Sequence, residues 1–130
     1  MIDSLVRQVG EGKAIAARLE IAADDLVLDP AVALQVYRIV QEAIANVVRH
    51  SGARTLVVSI ARAGGQLCVS VSDDGIGIAH DRRQRPGLGV GMGTMKSRAT
   101  LIGGSLAVLT PPEGGTCVEL KLDLAGSGAS

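Results

Sequence analysis

Apolar residues recur along this chain with two different periods, and the change of period divides the chain into helices and strands. A spacing of three and four residues predicts helices over Ile2–Val9, Pro30–His50 and Gly93–Ile102. The longest of them has a clear start, because Asp29 suits the N-cap position and Pro30 suits the first helical position. We therefore expect the Pro30–His50 helix to be the central helix of the fold.

Alternation with a period of two predicts five strands between these helices. They are Lys13–Ile21, Arg54–Ala63, Gln66–Ser72, Ser105–Leu109 and Thr116–Leu124. Gly64 and Gly65 separate two of them by a turn typical of a β-hairpin, and the last two strands form a second hairpin. Hairpins interspersed with helices predict an α/β (α+β) two-layer sandwich, with a mixed, mostly antiparallel sheet and helices on one face.

The composition restricts the core and the classes of partner. The chain of 130 residues has one Tyr and no Phe or Trp, so its core must be aliphatic, and this length suits one domain. We expect that domain over residues 1–124 and a disordered tail over 125–130. Thirteen basic residues balance thirteen acidic ones, which argues against broad binding to nucleic acids or anionic membranes.

The expected cellular compartment follows from the targeting signals that the sequence lacks and from its cysteines. It has no apolar run of about 18 residues for a membrane span and no signal peptide at Met1. Cys68 and Cys117 stand alone in strand-like stretches, where two buried thiols are favoured over a disulfide. We therefore expect a cytoplasmic location, whether the domain is free or part of a membrane-bound protein.

Polar residues form a stripe along the end of the long predicted helix, in the segment QEAIANVVRH. Glu42, Asn46 and His50 are four residues apart and share one helical face, and Arg49 falls close to it. Asn is a poor helix former, so its place opposite an apolar stripe needs a reason. An interhelical hydrogen bond or surface exposure is one reason, and ligation of Mg²⁺ by the amide oxygen is the other.

Two glycine clusters flank a polar, basic segment without apolar periodicity. The first cluster is the Asp-x-Gly-x-Gly motif at Asp73–Gly77, and the second is Gly87–Gly93. We expect the segment between them, Ala79–Gly91, to be a mobile loop that closes over a ligand. A glycine cluster that opens a helix can present free N–H groups to phosphate. For the first cluster, taken alone, a simple turn is the favoured explanation. Rossmann, P-loop, serine-hydrolase and protein-kinase signatures are absent.

The order of these motifs resembles the ATP-binding domain shared by gyrase, heat-shock protein 90, sensor histidine kinases and MutL. The resemblance covers Leu5 to Leu124 and includes the Gly-Gly-Thr at Gly114–Thr116. Within that superfamily, YRIVQEAIANVVRHSGA and GVGMGTMKSRA are most similar to two-component kinases of the nitrate/nitrite-sensor type. The resemblance implies a Bergerat-type fold that binds ATP with Mg²⁺.

Residue roles also follow from the resemblance. It implies Glu42 as the catalytic residue at the γ-phosphate, Asn46 as the Mg²⁺ ligand, and Asp73 as the acceptor for the adenine amino group. Further positions in ATP binding are Arg49 at the phosphates, His50 beside the adenine, Gly75 and Gly77 in the lid, Gly89, Gly91 and Gly93 at the phosphates, Thr94 after them, and Thr116 behind the adenine.

The resemblance further implies a partner domain and leaves rival functions open. A histidine kinase needs a helical dimerisation domain carrying the phosphoacceptor histidine, and neither His50 nor His80 suits that role. We therefore expect a catalytic domain that acts on this separate partner and, through it, on a response regulator. The alternatives are an anti-sigma-factor-type serine kinase and a non-catalytic interaction module for which ATP is a conformational ligand.

Overall fold

Three helices and one five-stranded sheet make up the part of the chain that the structure, a computed structural model, describes. That part comprises residues 2–12, 15–22, 28–48, 54–75, 87–110 and 114–124. In chain order the elements are α1 Ile2–Gly12, β1 Ala16–Ala22, α2 Pro30–Asn46, β2 Thr55–Ala63, β3 Gln66–Asp73, α3 Gly87–Leu101, β4 Ser105–Leu109 and β5 Thr116–Asp123.

The sheet has the strand order β1-β2-β3-β5-β4. Only β1 and β2 pair in parallel; the other three pairings are antiparallel. Gly64 and Gly65 join β2 to β3 with φ angles of 57° and 76°, as a type I′ turn requires. The predicted mixed, mostly antiparallel sheet and its two hairpins are therefore confirmed.

The helices cover one face of the sheet, and the core lies between the two layers. Along β3, Leu67, Val69 and Val71 are buried while the residues between them are half-buried, as the period of two requires. Met95 and Ala99 of α3 are also buried, and α3 packs against α2. The predicted two-layer sandwich with an aliphatic core is therefore confirmed.

The outer face of the sheet carries both cysteines, and they are half-buried free thiols. Cys68 lies opposite Lys121, and Cys117 lies opposite Ser72. The thiols are therefore four strand positions apart, about 13 Å, which is too far for a disulfide. The expectation of two thiols is confirmed, but their predicted full burial is wrong because they point away from the helical layer.

Local chemistry explains the start of α2. Asp29 is its N-cap and accepts a hydrogen bond from the backbone N–H of Ala31 at 3.1 Å, and Pro30 follows at the first helical position. The helix runs to Asn46 and continues through Val47 and Val48 as a π-helical turn. The rest of the predicted helix, to His50, lies outside the described residues.

Two helices are longer than predicted, and both differences involve glycine. The structure begins α3 at Gly87, six residues before the predicted Gly93, and it continues α1 through Gly10 to Gly12. Glycine destabilises a helix by only about 1 kcal/mol per residue, so tertiary packing can outweigh it. In α3 the buried Met95 anchors the helix against the core. Within the described part of the chain, no helix has the length and apolarity needed to cross a membrane.

Candidate functional site

A half-buried carboxylate and a buried hydroxyl lie at one end of the sheet, facing the helical layer. Asp73 is the last residue of β3, and it lies between Leu56 of β2 and Thr116, the first residue of β5. Its strand position continues the buried side of β3, so its carboxylate is on the core side of the sheet. Thr116 is only 6% exposed. The sheet thus places a carboxylate and a hydroxyl side by side at the edge of the core.

The Asp73 carboxylate is held in place and partly desolvated. One of its oxygens accepts a hydrogen bond from the backbone N–H of Gly75 at 2.7 Å. Burial raises the pKa of this carboxyl, and the neighbouring charge of Asp74 raises it further, whereas backbone N–H donors from Gly75 and Thr116 oppose the rise. The group is therefore an oriented acceptor in a low-dielectric position, which suits recognition of a hydrogen-bond donor.

The turn before β5 presses closely against Asp73. Gly114 and Gly115 have φ angles of 103° and 87°, which residues with side chains rarely adopt. A Cβ atom at Gly115 would overlap the carbonyl oxygen of Asp73. Glycine is therefore required at this position on two independent grounds, and it lets β5 begin directly beside the backbone of Asp73.

The next residue, Asp74, points elsewhere. It is exposed, and its Oδ1 accepts hydrogen bonds from the backbone N–H groups of Arg54 at 2.8 Å and Thr55 at 3.0 Å. These donors, with Thr55 first, lower the pKa of the Asp74 carboxyl. The two adjacent acids thus have separate surroundings: Asp73 lies on the core side, and Asp74 contacts the start of β2.

The polar stripe of α2 ends in a buried amide. Asn46 is 8% exposed, and its Nδ2 atom is buried without a hydrogen-bond partner in the described structure. Rotation of the amide by 180° exchanges its nitrogen and oxygen, so either atom can take this position. Glu42 lies one turn earlier on the same helix and is half-buried. An unsatisfied buried amide is rare in folded proteins, and a bound ligand is one explanation for it.

The second glycine cluster lies within a helix instead of before one. Gly89 and Gly91 belong to the first turns of α3, and Gly93 and Thr94 are exposed further along it. The N–H groups that a helix leaves free are those of its first four residues, here 87–90. Of the predicted glycines only Gly89 falls in that range, so the helix start predicted at Gly93 is wrong, whereas the role of Gly89, Gly91 and Gly93 at the phosphates stays a prediction.

Several predicted positions lie outside the described residues. They are Arg49, His50 and Gly77, together with residues 79–86 of the predicted loop Ala79–Gly91. The last five residues of that loop are helical, so its predicted extent to Gly91 is wrong. Conversely, the sequence did not indicate the contact between Asp74 and the start of β2, which depends on strand register. It also did not indicate the interhelical hydrogen bond from Arg98 to Gln35, at 3.0 Å, which joins α3 to α2.

Comparison with known proteins identifies the family. The sequence profile of the histidine kinase-, DNA gyrase B- and HSP90-like ATPases matches residues 31–126. The chain belongs to this family. The match includes α2, the sheet end with Asp73 and Thr116, and α3.

Individual relatives are sensor proteins that are much longer than this chain. It is 39% identical over 90 residues to the sensor histidine kinase NarS of Mycobacterium tuberculosis, covering 67% of this chain and 21% of NarS. It is 31% identical over 122 residues to the nitrate/nitrite sensor protein NarQ of Escherichia coli, covering 93% of this chain and 20% of NarQ. The chain thus spans about a fifth of these relatives.

Solved structures share the fold. The blue-light activated histidine kinase EL346 of Erythrobacter litoralis superposes with a TM-score of 0.76 at 23% identity, covering 99% of this chain and 41% of that protein. The ATP-binding domain of PrrB from Mycobacterium tuberculosis superposes with a TM-score of 0.69 at 23% identity, covering 93% of this chain and 89% of that domain. The sandwich described above is therefore the fold of histidine kinase ATP-binding domains.

Proposed function

We propose that this chain is the Mg-ATP-binding catalytic domain of a sensor histidine kinase. In this role it supplies the γ-phosphate of ATP for autophosphorylation of a histidine on a separate helical dimerisation domain. The observation that carries the proposal is the oriented, half-buried Asp73 carboxylate beside Thr116, within a chain of the ATPase family. The relatives named as sensor histidine kinases support the choice of this branch.

Adenine recognition is the proposed task of the sheet end. The Asp73 carboxylate accepts a hydrogen bond from the adenine amino group, and Thr116 contacts the same base from the neighbouring strand. Guanine carries a carbonyl oxygen where adenine carries its amino group, so it would set two acceptors against each other. A half-buried carboxylate at this position therefore distinguishes ATP from GTP.

The end of α2 is the proposed position of the metal and phosphates. The Asn46 amide fits a Mg²⁺ ligand, because its Nδ2 atom is buried without a partner and rotation of the amide can put the oxygen, a hard ligand, in that position. When bound, Mg²⁺ would neutralise phosphate charge. Glu42 is the proposed catalytic residue, one turn away on the same helix. The proposal also assigns Arg49 to the phosphates and His50 to the adenine. Gly75 and Gly77 are assigned to the loop that closes over the nucleotide.

The first half of α3 is the proposed phosphate-binding helix. Its glycines Gly89, Gly91 and Gly93 carry no side chain that would keep phosphate from the backbone, and Thr94 can donate from its hydroxyl. The free N–H groups at the helix start provide the favourable dipole for an anion. Rearrangement of this segment on binding would extend the set of free N–H groups toward Gly93.

The proposed partners follow from the same role. The domain acts on the helical phosphoacceptor domain of its parent kinase and reaches a response regulator only through it. We place this activity in the cytoplasm, with no contact of this domain to membrane or nucleic acid.

Phosphoamino-acid chemistry tests the proposal against its alternatives. The complete gene product is incubated with γ-labelled ATP, and the labelled protein is then treated with acid or alkali. A histidine kinase yields phosphate that is acid-labile and alkali-stable. Acid-stable phosphoserine on an added protein substrate would support the anti-sigma-factor-type kinase instead, and tight ATP binding without any transfer would support the interaction module.

A further inference from the structure

Asp74 is the acidic residue at the site that the proposed function leaves unused. A single oxygen of its carboxylate accepts hydrogen bonds from two consecutive backbone N–H groups, those of Arg54 and Thr55. Hydrogen bonds to an ionised acceptor are stronger than neutral ones. The pair of bonds therefore forms a clamp between the end of β3 and the start of β2, which we call the Asp74 clamp.

The clamp lies where the regular strand pairing ends. The last pair between β2 and β3 is Leu56 with Asp73, so Arg54 and Thr55 precede the pairing and Asp74 follows it. On its other side, the start of β2 is held by β1, because the carbonyl of Arg54 accepts from the N–H of Ala16 at 2.8 Å. The clamp thus extends the β2–β3 connection by one position, at the end of the sheet that carries Asp73.

The turn at Asp73–Gly75 is confined from the opposite side as well. A Cβ atom at Gly115 would lie 3.2 Å from the Cα of Asp74, which places the turn before β5 directly against this residue. The carboxylate of Asp73 in turn accepts from Gly75, one residue beyond Asp74. The backbone that aims Asp73 is therefore fixed by β5 on one side and by the Asp74 clamp on the other.

We propose that Asp74 is a positioning residue for nucleotide selectivity, holding the turn so that the Asp73 carboxylate points at the adenine position. The inference rests on the proposed function, since it assumes that Asp73 reads the base. Asp74 contacts no nucleotide in this role. It acts through the backbone of its neighbour.

The substitution Asp74→Asn separates the hydrogen-bonding capacity of this side chain from its charge. The asparagine amide oxygen can accept from Arg54 and Thr55 as the carboxylate does, but it carries no charge. Asp74→Ala removes both the acceptor and the charge. Glu20→Ala is the matched control, because it removes one exposed acidic side chain from β1 and only an exposed ion pair with Arg18.

The experiment combines a readout of the clamp with a readout of the site. Amide hydrogen exchange at Arg54 and Thr55, measured without nucleotide, reports the clamp itself. Calorimetric titration with non-hydrolysable ATP and GTP analogues in Mg²⁺ reports affinity and base selectivity. Thermal unfolding of each variant confirms that the protein titrated is folded.

We expect Asp74→Ala to accelerate exchange at both amides, weaken the ATP analogue about tenfold and reduce the ATP-to-GTP preference. Asp74→Asn and Glu20→Ala should retain wild-type selectivity and stay within about threefold of wild-type affinity. Unchanged selectivity in folded Asp74→Ala, or equal losses in Asp74→Ala and Asp74→Asn, would overturn the positioning role. Wild-type protein that binds neither analogue, with its clamp amides protected, would refute the proposed function and with it the positioning role.

Discussion

The substitution Gly115→Ala tests the close approach between β5 and Asp73. Gly115 has a φ of 87°, and an added Cβ would overlap the Asp73 carbonyl oxygen and lie 3.1 Å from its carbonyl carbon. The neighbouring atoms are backbone atoms of a paired strand, so no flexible side chain can move aside. Alanine here should therefore be disfavoured both by its own backbone conformation and by displacement of Asp73.

The structure offers a control that separates these two effects. Gly103 also has a positive φ, 74°, but an added Cβ there meets nothing within 4 Å. Gly103→Ala should destabilise the fold by the conformational term alone, about 1–2 kcal/mol. Gly115→Ala should add about 1–3 kcal/mol for displaced backbone in a packed region.

Unfolding of the two variants measures the difference. At roughly 4 °C per kcal/mol for a chain of this size, Gly115→Ala should unfold about 4–12 °C below Gly103→Ala. It should also weaken the ATP analogue, whereas Gly103→Ala should bind as the wild type does. Equal unfolding temperatures and equal affinities for the two variants would show that Gly115 does not restrict the position of Asp73.

Three further predictions concern Asn46, the titration of Asp73, and the contact between α2 and α3. Asn46→Ala should change the unfolding free energy little, because it removes an amide whose Nδ2 atom is buried without a partner, yet it should weaken the Mg-ATP analogue in calorimetry. Unchanged affinity would refute the ligand role. ATP-analogue affinity should fall as pH falls through the raised pKa of Asp73, since protonation removes the negative charge and turns one carboxylate oxygen into a donor. Asp74→Asn lowers that pKa by removing a negative charge, so the midpoint should move to lower pH; an unmoved midpoint would contradict this. A double-mutant cycle on Arg98→Ala and Gln35→Ala should give a coupling of about 0.5–1.5 kcal/mol in urea unfolding, and additive losses would exclude the interhelical bond.

Elements with local chemical signals could be predicted from the sequence. Asp29 and Pro30 mark the start of α2 through capping and a fixed φ, and both act within one turn of helix. Gly64 and Gly65 mark the first hairpin because a type I′ turn needs positive φ at both central residues. In each case the residues that provide the sequence signal are the same residues that form the helix cap or the turn.

Features that depend on distant contacts could not be predicted in this way. The start of α3 at Gly87 contradicts the low helix propensity of glycine, and packing of Met95 and Ala99 against the core outweighs that propensity. The separate surroundings of Asp73 and Asp74 follow from the register of three strands, which no local pattern of residues encodes. The resemblance identified Asp73, but the clamp at Asp74 emerged only from the folded arrangement.

The central claim is that Asp73 makes this sheet end an adenine site. Calorimetric titration of the wild type and Asp73→Asn with non-hydrolysable ATP and GTP analogues, in Mg²⁺, tests it most directly. The wild type should prefer the ATP analogue, and Asp73→Asn should lose about 1–3 kcal/mol of that binding because its amide sets a donor against the adenine amino group. Equal binding of the two analogues by the wild type, or an Asp73→Asn variant that binds ATP as tightly as the wild type, would contradict the account.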